Sequence, residues 1–517
     1  SFFKEIFIFF FNNNFSIINF VIFLVAIYFI KFIYFIIMYY KQFKYSSYIA
    51  YEMSSKILKK YMNSSLKFHS ENETSKLLRN VRDEVGQFGI GGVQQLIILM
   101  NELVIFMAIL TLLGIYETKF LIISFSCFAT VGFVYYLSVV NLFRKYGKKR
   151  QYFAAKVTKY SLETLYGIKN IKLFNAGYFF LDGFKSNAKK YADAIKITTT
   201  LNQVPRIGLE LITVLIVCIV LIYIFNPDSL DKEFLPSAGL FIIAAFKLIP
   251  SISKMLNSLN ILNYSYPSIQ VLKKELNRND LLDHDLDIVK NKFSFKKKIE
   301  FKNVSFDFKE RKKNLLTTIN LEIEKNSAIG LMGDSGSGKS TLIDLLTGIY
   351  EPQIGKIFVD GQDINEIKKG WRDIICIVPQ KIFLTNDTIK KNIAFGIDDQ
   401  EIDNSMIEEA VKFSQLEEFI NKLPDGISTM IGDKGMEISG GELQRIGIAR
   451  ALYKDSEVII LDEFTSSLDK NNEEIIMKLI KSFKGKKTLI IIAHKKELID
   501  FCDHKFKITS SKLVKLI

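Results

Sequence analysis

At 517 residues the chain is too long for one compact domain, and its 49% hydrophobic residues, 44 of them Phe, exceed what a soluble enzyme needs. The net charge of +14 would suit nucleic acid, but it flanks long apolar runs. The bias of cytoplasmic loops toward Lys and Arg explains it more simply, so no nucleic-acid partner is expected.

In chain order, the run Ile6–Phe11 is too short to cross a bilayer and reads as an interfacial helix or the tail of a further element. The chain opens on Ser1 with no basic n-region and cleavage site, so a truncated N-terminus is expected rather than a signal peptide. Five stretches then reach the ~20 residues that a membrane helix needs. They are Phe15–Tyr40, Val93–Gly114, Phe120–Leu142, Ile207–Phe225 and Phe234–Leu256. The loops Ile115–Lys119 and Asn226–Glu233 are short, whereas Lys41–Gly92 and Phe143–Arg206 are long. Arg144–Lys196 holds thirteen Lys or Arg against three Asp or Glu, which puts the long loops in the cytoplasm. Helical apolar spacing in Ser54–Val85 and Thr158–Phe184 extends the membrane helices beyond the bilayer. The four cysteines, Cys127, Cys218, Cys376 and Cys502, form no C-x-x-C pair, so neither a disulfide framework nor a metal cluster is expected.

After an Asn- and Asp-rich linker the pattern changes. From Lys296 short β-branched runs alternate with helical ones, which reads as α/β. Ser327–Met332 is strand-like and leads into Gly333-Asp334-Ser335-Gly336-Ser337-Gly338-Lys339-Ser340, a G-x-x-x-x-G-K-[ST] string. The glycines let backbone N–H groups turn toward phosphates. Lys339 supplies a charge for the β/γ-phosphates and Ser340 a hydroxyl for Mg²⁺. Val458–Leu461 is a buried-strand run ending in Asp462-Glu463. Asp462 suits the Mg²⁺ shell, and Glu463 can orient or deprotonate the attacking water. ATP and Mg²⁺ are therefore the expected ligands.

Ile438-Ser439-Gly440-Gly441-Glu442, together with these motifs, resembles the signature loop of ATP-binding cassette (ABC) transporters, with Ile for the usual Leu and Glu for the usual Gln. The resemblance implies that Ser439, Gly440 and Gly441 face the γ-phosphate of ATP on a second copy of the chain, so that a homodimer is expected. It also implies that Gln380 touches Mg²⁺ in the Q-loop, that Ser467-Leu468-Asp469 is the D-loop and that His494 is the switch histidine. Phe308 stands where that family has an aromatic, usually Tyr, under the adenine, and the resemblance implies that Thr341 follows Ser340 in the nucleotide site. The span–long loop–span order resembles the exporter type of half-transporter, which has six spans and so implies one more than is visible. It places coupling helices near Lys67–Glu73 and Gly167–Asn175. The expected fold is an α-helical transmembrane domain over 1–278, a linker over 279–295 and an α/β P-loop ATPase domain over 296–517. The expected setting is the bacterial inner membrane, with the ATPase in the cytoplasm.

Lys31 and Lys247 lie within apolar spans, and Arg206 and Lys254 lie at their cytoplasmic edges. A lysine at the bilayer centre costs about 2.5–3.5 kcal/mol on insertion scales, so such cations face a polar cavity or a partner. Local pairing is one reading, since Arg206 and Glu210 are i,i+4 neighbours. A cation-lined transport path that takes an anionic lipid is the other. Val204–Glu210 and Phe246–Ser251 resemble bacterial flippases of lipid-linked oligosaccharides in protein N-glycosylation. That resemblance implies ATP-driven flipping of such a glycolipid, with export of other amphiphiles (drugs, lipid A-like lipids or peptides) as the alternative.

Overall fold

The computed structural model describes residues 17–116, 118–224, 234–278, 293–308, 315–432, 438–465 and 468–516. The chain divides into two compact units, Ser1–Asp283 and His284–Ile517.

The first unit is helical. Its described helices are α1 (Ile17–Met62), α2 (Leu66–Glu71), α3 (Thr74–Arg79), α4 (Val85–Phe88), α5 (Gln94–Tyr116), α6 (Thr118–Tyr166), α7 (Ile168–Leu173), α8 (Gly177–Ile224) and α9 (Phe234–Leu276). Helix α1 contains neither Gly nor Pro. Its Ile, Val and Phe content would favour strands in water, but a bilayer offers the backbone no hydrogen-bond partners, which forces the helix. Large apolar side chains stand exposed along α1 from Ile18 to Tyr51, a surface that only lipid or protein can cover. Val21–Met62 and Thr74–Leu112 are long and apolar enough to cross a membrane by composition alone. The five long helices α1, α5, α6, α8 and α9 carry the five expected spans. Phe15 and Phe225, at the limits of two of them, lie outside the described residues.

The long helices α6, α8 and α9 outrun a bilayer, as the helical spacing of the long loops requires. The short helices α2 and α7 fall on the two pieces expected to couple the domains. Ser65 caps α2 by accepting from the Phe68 N–H at 3.4 Å. Two π-helical turns, Asn80–Glu84 and Gly89–Val93, separate α3, α4 and α5. At the first of them Glu84 is fully buried between two arginines, 3.3 Å from Arg79 Nε and 3.3 Å from Arg150 Nη2. Arg150 also donates to Ser268 Oγ at 2.8 Å, which ties α6 to α9. Gly147 lets the same two helices approach, since a Cβ there would stand 2.2 Å from the Tyr264 carbonyl oxygen.

The second unit has two main sheets. The antiparallel one has the order β2 (Leu316–Glu324), β1 (Lys298–Phe306), β4 (Ile354–Val359), β5 (Gln362–Asp363). The other has the order β12 (Lys512–Leu516), β11 (His504–Thr509), β3 (Ala328–Gly333), β10 (Thr488–Ile492), β9 (Val458–Asp462), β6 (Ile375–Val378), parallel except for β12. A two-stranded piece pairs β7 (Asp387–Thr388) with β8 (Met430–Ile431). Strands β9 and β10 are buried on both faces, which is why they read as unbroken Val, Ile and Leu runs. The helices are α10 (Lys339–Leu346), α11 (Lys368–Ile374), α12 (Ile389–Ile393), α13 (Asn404–Phe413), α14 (Glu417–Asn421), α15 (Gly440–Tyr453) and α16 (Lys470–Phe483). Phe295 is fully buried beside Trp371, so this core begins ahead of β1.

Candidate active site and transport path

Strands β3, β9 and β10 are adjacent and parallel, so their C-terminal ends open at one edge of the sheet. Ligands of open α/β sheets bind at that edge. Strand β3 ends at Gly333 and passes through the phosphate loop into α10, which Gly338 caps with φ +103°. That left-handed geometry suits Gly, and a Cβ there would also press on Leu316 Cδ2 at 2.9 Å. Strand β9 delivers Asp462 and Glu463, and β10 delivers His494 two residues past Ile492.

A cavity of about 290 Å³ at this edge is lined by Phe308, Ser335, Gly336, Gly338, Lys339, Ser340, Thr341, Gln380, Asp462 and Glu463. Ten of the sequence-predicted positions thus meet in one place. Lys339 is buried, and its Nζ donates to the carbonyls of Gly333 (2.7 Å) and Asp334 (3.1 Å) while lying 3.8 Å from Glu463 Oε1. The same carboxylate oxygen lies 2.7 Å from His494 Nε2. Glu463 is held at φ +47°, an uncommon conformation for a non-glycine residue, and its N–H donates to Ile492 O at 3.1 Å. Phe308 packs edge-on against Phe306 (5.1 Å) and Tyr350 (5.6 Å) at the mouth.

The electrostatics favour a bound cation. Burial, and then the neighbouring Glu463, hold the Asp462 carboxyl above the usual range, with Lys339 acting against them. Burial, and then Asp462, push Asp344 on α10 up to about 6. Asp462 and Glu463 beside Lys339, with Asp344 behind Asp462, fit Mg²⁺, with Ser340, Gln380 and Asp462 as the protein groups that would hold it. When bound, the ion would neutralise charge on the phosphates. The chain's own residues do the rest. Loop N–H groups and Lys339 would orient the phosphates, and Glu463, which lies beside His494, would position water and take its proton.

Ser439, Gly440 and Gly441 do not line this cavity. They form the start of α15, where Ser439 is the N-cap of a capping box. Glu442 accepts from the Ser439 N–H (2.9 Å) and hydroxyl (2.7 Å), so the residue that departs from the family pattern fixes the signature serine. Asp469 accepts from Asn472 Nδ2 at 2.5 Å, and Asn472 Oδ1 accepts from Arg445 on α15 at 2.5 Å. Gly441 lies against Asn472, which a Cβ would approach to 3.0 Å. This link between the D-loop and the signature helix escapes the sequence motifs. The S-x-x-E spacing of Ser439 and Glu442 signals the capping box but not this link. Ser467 lies outside the described residues.

The four membrane cations differ. Arg206 Nε lies 3.1 Å from Glu210 Oε1, and both side chains are exposed. Lys254 Nζ lies 2.8 Å from Glu102 Oε1, whose side chain is 8% exposed. Lys31 sits over Tyr28 and Phe35 at 5.4 and 5.6 Å. Lys247 is exposed next to the buried Leu248 and Ile249.

Comparison with known proteins agrees with this construction. The ABC transporter transmembrane region family matches residues 1–227, and the ABC transporter family matches residues 316–466. The chain belongs to the ABC transporters, with a membrane domain of exporter-type fold fused to its ATPase domain. It shares its fold with a bacterial Atm1-family ABC exporter solved with ATP bound (TM-score 0.78, 22% identity, 91% of this chain and 82% of that one). Two relatives named ATP-dependent lipid A-core flippase come from Nitrosococcus oceani and Photorhabdus laumondii. The first is 33% identical over 71% of this chain and 61% of its own length, and the second 28% over 91% and 80%. A probable ABC transporter ATP-binding/permease protein of Haemophilus influenzae is 27% identical over 76% of this chain and 70% of its own length.

Proposed function

We propose that the chain hydrolyses ATP to move an anionic glycolipid across a bacterial inner membrane, working as a dimer of two copies. The observation that carries this reading is a cavity that brings Lys339, Asp462 and Glu463 together, in a chain whose membrane helices bear Lys31 and Lys247 without an ion pair among the described residues. Relatives named as lipid A-core flippases support the glycolipid class. Within the membrane unit Lys31, Arg206, Lys247 and Lys254 form the transport path. Lys31 and Lys247 lead in attracting the anionic group. The Arg206–Glu210 pair is exposed at the end of a span, so Arg206 can exchange its partner for a phosphate. Lys254 is held by the buried Glu102.

The test is flipping of a fluorescent lipid-linked oligosaccharide and of lipid A in proteoliposomes, with a drug-like amphiphile beside them. Arg206→Ala combined with Lys247→Ala should lower glycolipid flipping about tenfold while the melting profile stays that of wild type. Flipping of the drug alone, or glycolipid flipping unchanged by the double substitution, would overturn the reading.

A further inference from the structure

A second cavity, of about 640 Å³, lies in the membrane unit between α1, α5 and α9. Its chemistry differs from that of a phosphate site. Its one cation among the described residues, Lys254, is spent on Glu102 at 2.8 Å, so an incoming phosphate would meet a charge pair of no net sign. What remains is amide and aromatic. Gln42 is only 6% exposed, and neither its Oε1 nor its Nε2 has a partner among the described residues. Asn257 Oδ1 is buried in the same cavity, likewise without a partner. Each such group costs about 1–3 kcal/mol if nothing bonds to it, so the site is built for a ligand that brings its own hydrogen bonds. Tyr34 and Phe35, on α1, add aromatic faces to the same wall.

Buried amides that offer donor and acceptor together, a carboxylate and aromatic faces match a neutral sugar ring. Its hydroxyls both donate and accept, and its C–H face lies flat on an aromatic. We propose that this cavity is a glycan subsite which binds an uncharged sugar of the cargo through Gln42, Asn257 and Glu102. The Glu102–Lys254 pair sets its preference for sugar over phosphate. The proposal rests on the glycolipid reading above and adds that sugar and phosphate are recognised at different places, the phosphate at Lys31 and Lys247.

The experiment uses the full chain in nanodiscs, with saturation-transfer NMR for the sugars and phosphorus NMR line broadening for pyrophosphate. The probes are two free neutral disaccharides, chitobiose and maltose, the same sugars as alkyl glycosides, and inorganic pyrophosphate. At least one disaccharide should bind, and its alkyl glycoside should bind more tightly. Gln42→Leu and Asn257→Leu should each weaken binding about fivefold or more, and the melting temperature should hold or rise because an unpartnered buried amide is removed. A group with only a structural role would show the reverse. Glu102→Gln should weaken disaccharide binding and strengthen pyrophosphate binding, since it frees the charge of Lys254. Absence of sugar binding, affinity unchanged in both leucine variants, or pyrophosphate preference unchanged in Glu102→Gln would overturn the subsite and leave the transport reading standing. Equal affinity for free and alkyl-linked sugar would keep the subsite and overturn the glycolipid reading.

Discussion

Glu463 is where residue chemistry decides the most. Its carboxylate lies between Lys339 and His494, and its backbone is pinned in the left-handed region by the bond to Ile492. Glu463→Gln keeps the shape and loses the base, so hydrolysis should fall about 10²-fold or more while ATP stays bound. Turnover and nucleotide retention measured on one purified sample check this, and near-normal turnover would remove Glu463 from the role of base. Asp344 gives a second prediction. Its folded pKa of about 6 lies above the ordinary 3.8, so the folded state binds the proton more tightly than the unfolded one. Stability is therefore greatest below pH ~4 as far as this group is concerned, and is lost as pH rises through 6. In nucleotide-free protein Asp344→Asn should raise ATPase-domain stability by about 1–3 kcal/mol at pH 7.5, and the gain should shrink below pH 6. Thermal melts of both proteins across that range read it out. Most of the ATP site was legible in the sequence because each motif is contiguous and sits at a strand end. Asp344 was not, since only folding brings α10 against β9.

At the scale of elements, the membrane helices were legible because their requirement is local: enough apolar residues in a row. The polar ties between them were not. Arg206–Glu210 follows from i,i+4 spacing, but Lys254 meets Glu102 across 152 positions, a pairing that no periodicity reveals. The same holds for Glu84, which joins the π-helical turn after α3 to α6 through Arg150. Removing one member of a buried ion cluster leaves uncompensated charge. Glu84→Ala, which strands Arg79 and Arg150, should therefore cost about 3–5 kcal/mol. Arg82→Ala, two residues away and solvent-facing, should cost under about 1 kcal/mol. Melting in detergent compares the two, and equal losses would show that the cluster carries no special weight.

At the scale of the whole molecule, the ATP cavity of one chain takes nothing from the Ser439–Gly441 turn. It is lined by the phosphate loop, Phe308, Gln380, Asp462 and Glu463. Yet that turn is built with care: Glu442 fixes Ser439, and Asn472 packs on Gly441. A loop so constrained, with its N-cap serine exposed at a helix N-terminus, suits a phosphate supplied by another copy. If so, two different lesions should complement each other. Lys339→Ala disables a chain's own phosphate loop, and Ser439→Arg disables what it offers to its partner. Neither variant alone should trap nucleotide with vanadate. A mixed dimer of the two, isolated through different tags, pairs an intact phosphate loop with an intact signature turn at one of its two sites. It should trap about one nucleotide per dimer. Each chain of the mixed dimer still carries one lesion, so trapping can arise only from a site shared between copies. Its absence, in a mixed dimer shown to bind ATP, would mean that each chain completes its own site.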